Sequence, residues 1–131
     1  MLQTQLHDEL YNMDVTEILE YCQMKKGVEE TLPFNPETLV LKVGEKMFAL
    51  IPFEKQPLTI SLKADPEWSA ALREQYSQIT GAYHMNKTHW NSVVCEGLKK
   101  ELIFEMIDHS YDLIVNSLTK KKRELLENLK N

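Results

Sequence analysis

A two-layer α+β domain, with an antiparallel five-stranded sheet and helices on one face, is what this 131-residue sequence predicts. Two periodicities and their order carry that reading. Residues 38–43 and 58–63 alternate apolar and polar positions, the period of strands with one buried face. Residues 15–22 and 102–118 carry apolar stripes at helical spacing. The elements run α, three strands, α, two strands, α, then a C-terminal helical tail over 119–131. Strands with one apolar face and helices with one apolar stripe each bury what the other exposes.

Residues 1–13 are polar and weakly periodic, and read as an N-terminal extension of a single domain. Asp14 caps the first helix, with Glu17 three residues on as in a capping box. Val15, Ile18, Leu19 and Cys22 make its stripe, and Gly27 supplies a left-handed stop. Pro33 and Pro36 break the following segment into a loop. In the first strand, Thr38 to Val43, Leu39, Leu41 and Val43 share a face. Gly44-Glu45-Lys46 turns the chain into Met47–Phe53, apolar on both faces as a central strand is. The third strand sets Leu58, Ile60 and Leu62 against Thr59, Ser61 and Lys63.

Asp65-Pro66-Glu67 opens the second helix with a cap, a proline at the first position and a first-turn acid. Its stripe is Trp68, Leu72, Tyr76 and Ile79. Two strands are expected around Ala82–Met85 and His89–Cys95, joined at Asn86-Lys87. If those two residues are the whole turn, Met85 faces Thr88, His84 faces His89, and Tyr83 faces Trp90. The long helix spans Leu98 to Leu118.

Composition is that of a globular protein, 43% apolar and 27% charged. No run approaches the roughly 18 apolar residues of a membrane span. The start of the chain lacks the basic and apolar regions of a signal peptide. Cys22 and Cys95 fit neither a redox nor a zinc spacing, so a reduced, cytoplasmic protein is expected. Net charge is −5 and unevenly spread: residues 1–37 sum to −6, residues 98–131 to +1. An anionic partner is therefore expected on the second half. Strong DNA binding is disfavoured, because it needs a basic footprint. No GxGxxG, P-loop, GxSxG, HExxH or CxxC motif is present, and no catalytic constellation or cofactor site is identifiable; a non-enzymatic role is expected.

The candidate site residues cluster in the second half. His84, Asn86, Lys87, His89 and Asn91 concentrate imidazoles, amides and an ammonium at one hairpin, groups that can hold phosphates or nucleobases. Alternatively, Tyr83 and Trp90 anchor the hairpin and its polar residues tie down loops. A metal would need a third ligand from His109 or Cys95, which spacing alone does not supply. Lys42, Thr59, Ser61 and Lys63 share one sheet face, either an anion-binding surface or a solvated one. Asp108-His109-Ser110 is no triad, since helix neighbours lie about 100° apart. Asp108, His109 and Asp112 are expected in supporting roles, with His109 pairing to Glu105 or Asp112. Lys121 belongs to the one basic run, 120–123, which offsets a helix dipole and could also meet phosphates.

The blocks GAYHMNKTHWNS (81–92) and IDHSYDLIVNSL (107–118) resemble the MmcQ/YjbR family of small bacterial proteins. LKVGEKMFALI (41–51), LTISLKADPE (58–67) and SLTKKKRELL (117–126) extend the likeness over roughly residues 14–126. The resemblance implies an α+β fold similar to bacterial secretion chaperones and a DNA-binding role. Weak nucleic-acid binding is therefore the first functional expectation. A peptide- or protein-binding adaptor, or a small-molecule or metal sensor through the hairpin histidines, is the alternative.

Overall fold

The computed structural model describes residues 14–82 and 85–129. Its order is α1 (Val15–Gln23), β1 (Glu29–Thr31), β2 (Thr38–Val43), β3 (Lys46–Pro52), β4 (Thr59–Lys63), α2 (Pro66–Gln75), β5 (Ile79–Gly81), β6 (Trp90–Val94), α3 (Lys100–Ser117) and α4 (Lys120–Glu127). The strands form one open antiparallel sheet in the order β1-β2-β3-β4-β6-β5.

The expected class stands, with six strands rather than five. The extra one, β1, is three polar residues that pair with Val40 to Lys42. Glu29-Glu30-Thr31 has no apolar alternation, so only its neighbour makes it a strand. Strand β5 is Ile79–Gly81, not Ala82–Met85. Helix α2 stops at Gln75, and Ile79 leaves the expected helical stripe to become a buried strand residue.

The predicted caps form. The Asp14 carboxylate accepts from the Thr16 N–H at 3.1 Å, and the Asp65 carboxylate from the Trp68 N–H at 3.0 Å. Gly27 takes φ 69° and Gly44 φ 57°, left-handed values that glycine adopts without penalty. A Cβ on Gly44 would stand 2.7 Å from the Leu118 side chain, so this turn also leaves room for the end of α3.

Residues opposite one another in a ladder share a face, and successive residues alternate. One face, covered by α3, carries Leu41, Ala49, Ile51, Ile60, Leu62 and Val93, all buried. The register of β2 against β3 slips at one point: Leu41 pairs with Ala49 and Lys42 with Met47, leaving Phe48 unpaired. The slip is a β-bulge. It lets Phe48 join Ala49 on the buried face, where its ring meets Tyr111 edge-on at 5.4 Å. Met47 accordingly lies with Leu50 on the opposite face.

The long helix α3 is bound to the rest of the fold by three consecutive residues. Asp108 Oδ1 accepts from the Tyr21 hydroxyl at 2.6 Å and from Lys25 Nζ at 2.5 Å, fixing the end of α1. His109 Nε2 accepts from the Asp65 N–H at 3.1 Å, and its ring stands edge-on to Trp68 at 4.6 Å, fixing the start of α2. The expected partners of His109, Glu105 and Asp112, lie on its own helix; the contact goes to another element. Ser110 is fully buried. Its hydroxyl donates to the Phe48 carbonyl at 2.6 Å and accepts from the Lys63 N–H at 3.0 Å. It thereby takes up two main-chain groups beside the bulge, beyond the pairs Ala49–Leu62 and Leu50–Ser61.

Both cysteines are buried, free and apolar in role. Burial pushes each thiol from 9.0 to about 12. Tyr21 is also raised to about 12, by burial first and then by the Asp108 carboxylate that accepts its proton.

Two measurements check this account. Ser110→Ala leaves a buried carbonyl and a buried N–H without partners, and should cost about 1–3 kcal/mol in urea unfolding. Ser117→Ala, at an exposed site, should stay within about 0.5 kcal/mol of the parent. A parent-like Ser110→Ala would show that the hydroxyl bridge contributes nothing. The second concerns alkaline pH. The folded thiols keep their protons to about 12 while unfolded thiols release them near 9.0. Between those values the native state holds more protons, so stability is full below the lower value and falls as pH rises. Cys95→Ala removes one such proton, and its stability should fall less steeply with pH, by about 1.4 kcal/mol per pH unit. Parallel curves for the two proteins would contradict a buried, protonated Cys95.

Candidate functional site: the open face of the sheet

The sheet face away from α3 is formed by the alternate residues of each strand. One row crosses all six strands: Thr31, Val40, Leu50, Ser61, Ser92 and Thr80, in spatial order. Beside it, Glu29 pairs with Lys42 and Lys42 with Met47, while Lys63 pairs with Trp90. Lys42, Thr59, Ser61 and Lys63 thus lie on one face, as alternation requires. Val40 is fully buried and Trp90 only 8% exposed, although both belong to this face.

Phe34, Met47, Leu50, Met85, Asn86 and Trp90 line a cleft of about 410 Å³ on this face. Phe34 comes from the loop between β1 and β2, and Met85 and Asn86 from the loop between β5 and β6. Phe34 is 64% exposed. The register puts Lys42 directly beside Met47 and Lys63 directly beside Trp90, on the strand between those of Met47 and Trp90.

The loop after β5 is not the tight hairpin expected. Gly81 pairs with Asn91 and the Ala82 N–H donates to the Trp90 carbonyl, so Trp90 lies across from Ala82 rather than Tyr83. The turn is built around Asn86. Its carbonyl accepts from the N–H groups of His89 and Trp90 at 3.1 and 2.8 Å, and its Oδ1 accepts from the Thr88 N–H at 3.0 Å. An Asx turn of this kind is a local signal, but its extent was hidden because Asn-Lys also fits a two-residue turn.

Arg73 on α2 holds this loop. Its Nε donates to Asn91 Oδ1 at 2.7 Å, and its Nη2 donates to the carbonyls of Lys87 and, at 3.3 Å, Trp90. Asn91 in turn donates to the Ser69 hydroxyl at 3.1 Å. Nothing in the sequence marked Arg73, because its partners are main-chain carbonyls and a residue 18 positions away.

The expected site residues separate accordingly. Asn86 lines the cleft, and Lys42 and Lys63 lie next to its lining residues Met47 and Trp90. Asn91 is 2% exposed on the helix-covered face and belongs to the Arg73–Ser69 network, not to a binding surface. Lys87 is exposed beside Gly81 and Arg73: a Cβ on Gly81 would be 3.4 Å from Lys87 Cβ and from Arg73 Nη1. His89 is half-buried, and its carbonyl accepts from the Ala64 N–H at 2.8 Å. His84 and Tyr83 lie outside the described residues. Lys121 is exposed on α4, which packs at the β2–β3 turn and lines no part of the cleft. Asp108 and His109 serve the fold as described, and Asp112 is exposed. Among the described residues no three His, Cys, Asp or Glu side chains gather to hold a metal ion. No helix described is long and apolar enough to cross a membrane.

Known proteins share this arrangement. The YjbR family model matches residues 23–113. The Escherichia coli (strain K12) protein YjbR is 35% identical over 118 residues, 89% of this chain and all of that protein. YbdF of E. coli O157:H7 is 38% identical over 98 residues, 74% of this chain and 80% of the relative. A crystal structure of a Deinococcus radiodurans protein with a DUF419 domain superposes with TM-score 0.83 at 35% identity, covering 92% of this chain and 91% of that one. A Pseudomonas syringae protein superposes with TM-score 0.68 at 30% identity, covering 78% and 99%. On sequence, on extent of coverage and on fold, the chain belongs to the YjbR family.

Proposed function

We propose that this protein is a non-catalytic binding module that holds nucleic acid weakly on the open face of its sheet. The observation that carries the reading is the register of that face, which sets Lys42 beside Met47 and Lys63 beside Trp90, two residues that line an apolar cleft. Around them stand the hydroxyls of Thr59, Ser61 and Ser92. Ammonium and hydroxyl groups can donate to phosphate oxygens, and the phosphate backbone supplies most of the affinity of such contacts.

The charge distribution limits the strength. Glu29 lies directly opposite Lys42 on the same face, and the whole chain carries −5. Two lysines neutralise few phosphates, which favours loose binding with a shallow salt dependence. A non-catalytic role is favoured by the cleft's lining, whose one polar side chain among the described residues is the Asn86 amide. The imidazole of His109 faces the start of α2 and has its Nε2 engaged there. An adaptor that adds a peptide strand to the sheet is less favoured. Its edges, β1 and β5, are three residues each, and β1 carries two acids, features that discourage strand addition.

Fluorescence anisotropy with short labelled oligonucleotides at two salt concentrations tests the reading. The affinity should fall with salt at a slope of on the order of two counterions. Lys42→Glu/Lys63→Glu should abolish binding, and Lys121→Glu should leave it near the parent value. Binding that survives the double reversal, or is lost in Lys121→Glu, would place the site off the sheet face.

A further inference from the structure

We infer that the open-face cleft receives one unstacked base of a single strand, so that the protein selects single-stranded over duplex nucleic acid. This deepens the proposed function and rests on it.

The walls and floor of the cleft argue for a flat, apolar ring. Among the described residues, its lining includes two aromatics, Phe34 and Trp90, and two methionines, Met47 and Met85. Thioethers and aromatic rings make favourable contacts with π systems and adapt to their outline. At about 410 Å³ the cleft has room for a ring system with part of its sugar. Phe34 stands at 64% exposure, a ring surface available for stacking.

The polar rim narrows the ligand further. Asn86 Oδ1 is engaged by the Thr88 N–H, which leaves its amide N–H groups to face a ligand. Lys42 and Lys63 are donors by nature. These groups are donors, the complement of a ring that bears acceptors and a backbone that carries anions. Lys42 on β2 and Lys63 on β4 are two strands apart, roughly 10 Å by the ordinary strand spacing. A base over Met47 and Trp90 would have both cations near its backbone. Charge complementarity and the ring-shaped apolar bed together describe a nucleotide within a strand.

Duplex cannot offer this group. Its bases are stacked and paired, and extracting one costs unstacking and unpairing energy. Helices α3 and α1 are not free to enter a major groove either: α3 is buried against the sheet, and α1 is held to α3 through Asp108. Sheet faces that read single strands do so by stacking splayed bases on exposed rings while cations follow the phosphates.

The test compares a labelled oligothymidine of about 12 nucleotides with a duplex of equal length, by anisotropy on the full chain at low salt. The single strand should bind at least about tenfold more tightly. Phe34→Ala removes a largely exposed ring, so the variant should fold, and it should weaken single-strand binding about tenfold while leaving duplex binding unchanged. Met85→Ala, at a second wall of the cleft, should act in the same direction. Equal affinity for the two forms, or undiminished single-strand binding in both variants, would overturn the base-cleft inference and leave the sheet-face reading standing. Failure of both nucleic acids to bind would overturn the proposed function itself, and the inference with it.

Discussion

The fold turns on one turn of α3, where Asp108, His109 and Ser110 each grip a different element. Consecutive helix residues point about 100° apart, which is why these three cannot act on one another. The same divergence lets them reach α1, the start of α2, and the gap between β3 and β4. Each contact satisfies a group that would be costly to leave alone: a half-buried carboxylate, a main-chain N–H at a helix start, and two main-chain groups beside a bulge. Helix α3 is thus placed in register against the sheet by directional bonds as well as by its apolar stripe. Hydrophobic burial is non-directional and would tolerate small slips; the three bonds do not.

The bulge that Ser110 supports has consequences on the far face. By turning Phe48 inward beside Ala49, it leaves Met47 outward, next to Lys42 and near Leu50. Without the extra residue, alternation would exchange these positions and put a phenyl ring on the open face. The core contact between Phe48 and Tyr111 and the floor of the cleft are therefore two results of one irregularity. Arg73 acts similarly at the other wall. Its hydrogen bonds to the Lys87 and Trp90 carbonyls hold the loop that brings Met85 and Asn86 to the cleft. The shape of the cleft on this face is thus set by groups on the opposite face.

Much of the fold was legible in the sequence because its signals are local. Asp14 and Asp65 announce helix starts by a side chain within three residues of the N–H that it accepts from. The alternation at 38–43 and 58–63 fixes which residues share a face without reference to anything distant. The same logic placed Lys42, Thr59, Ser61 and Lys63 together. The YjbR resemblance was likewise readable, since it rests on contiguous blocks.

What the sequence could not reveal was decided by partners far along the chain. Glu29–Thr31 is a strand only because β2 offers it an edge. Ile79 has helical spacing to Tyr76, yet pairing with Val93 takes it into the sheet, since tertiary pairing outweighs a short periodic run. Asn91 sits in a run of polar binding-type residues, and only the Arg73 guanidinium, 18 residues earlier, makes it an internal tie. His109 has acids at helical spacing on both sides, and only the packing of α2 over α3 turns it to Asp65 instead. The sequence by itself determined the element types, the caps and the two faces of each strand, because those depend on neighbours within about four residues. The tertiary structure alone decided the bulge, the loop register and the cleft, because each depends on a hydrogen bond or ring contact between segments that local patterning never brings into view.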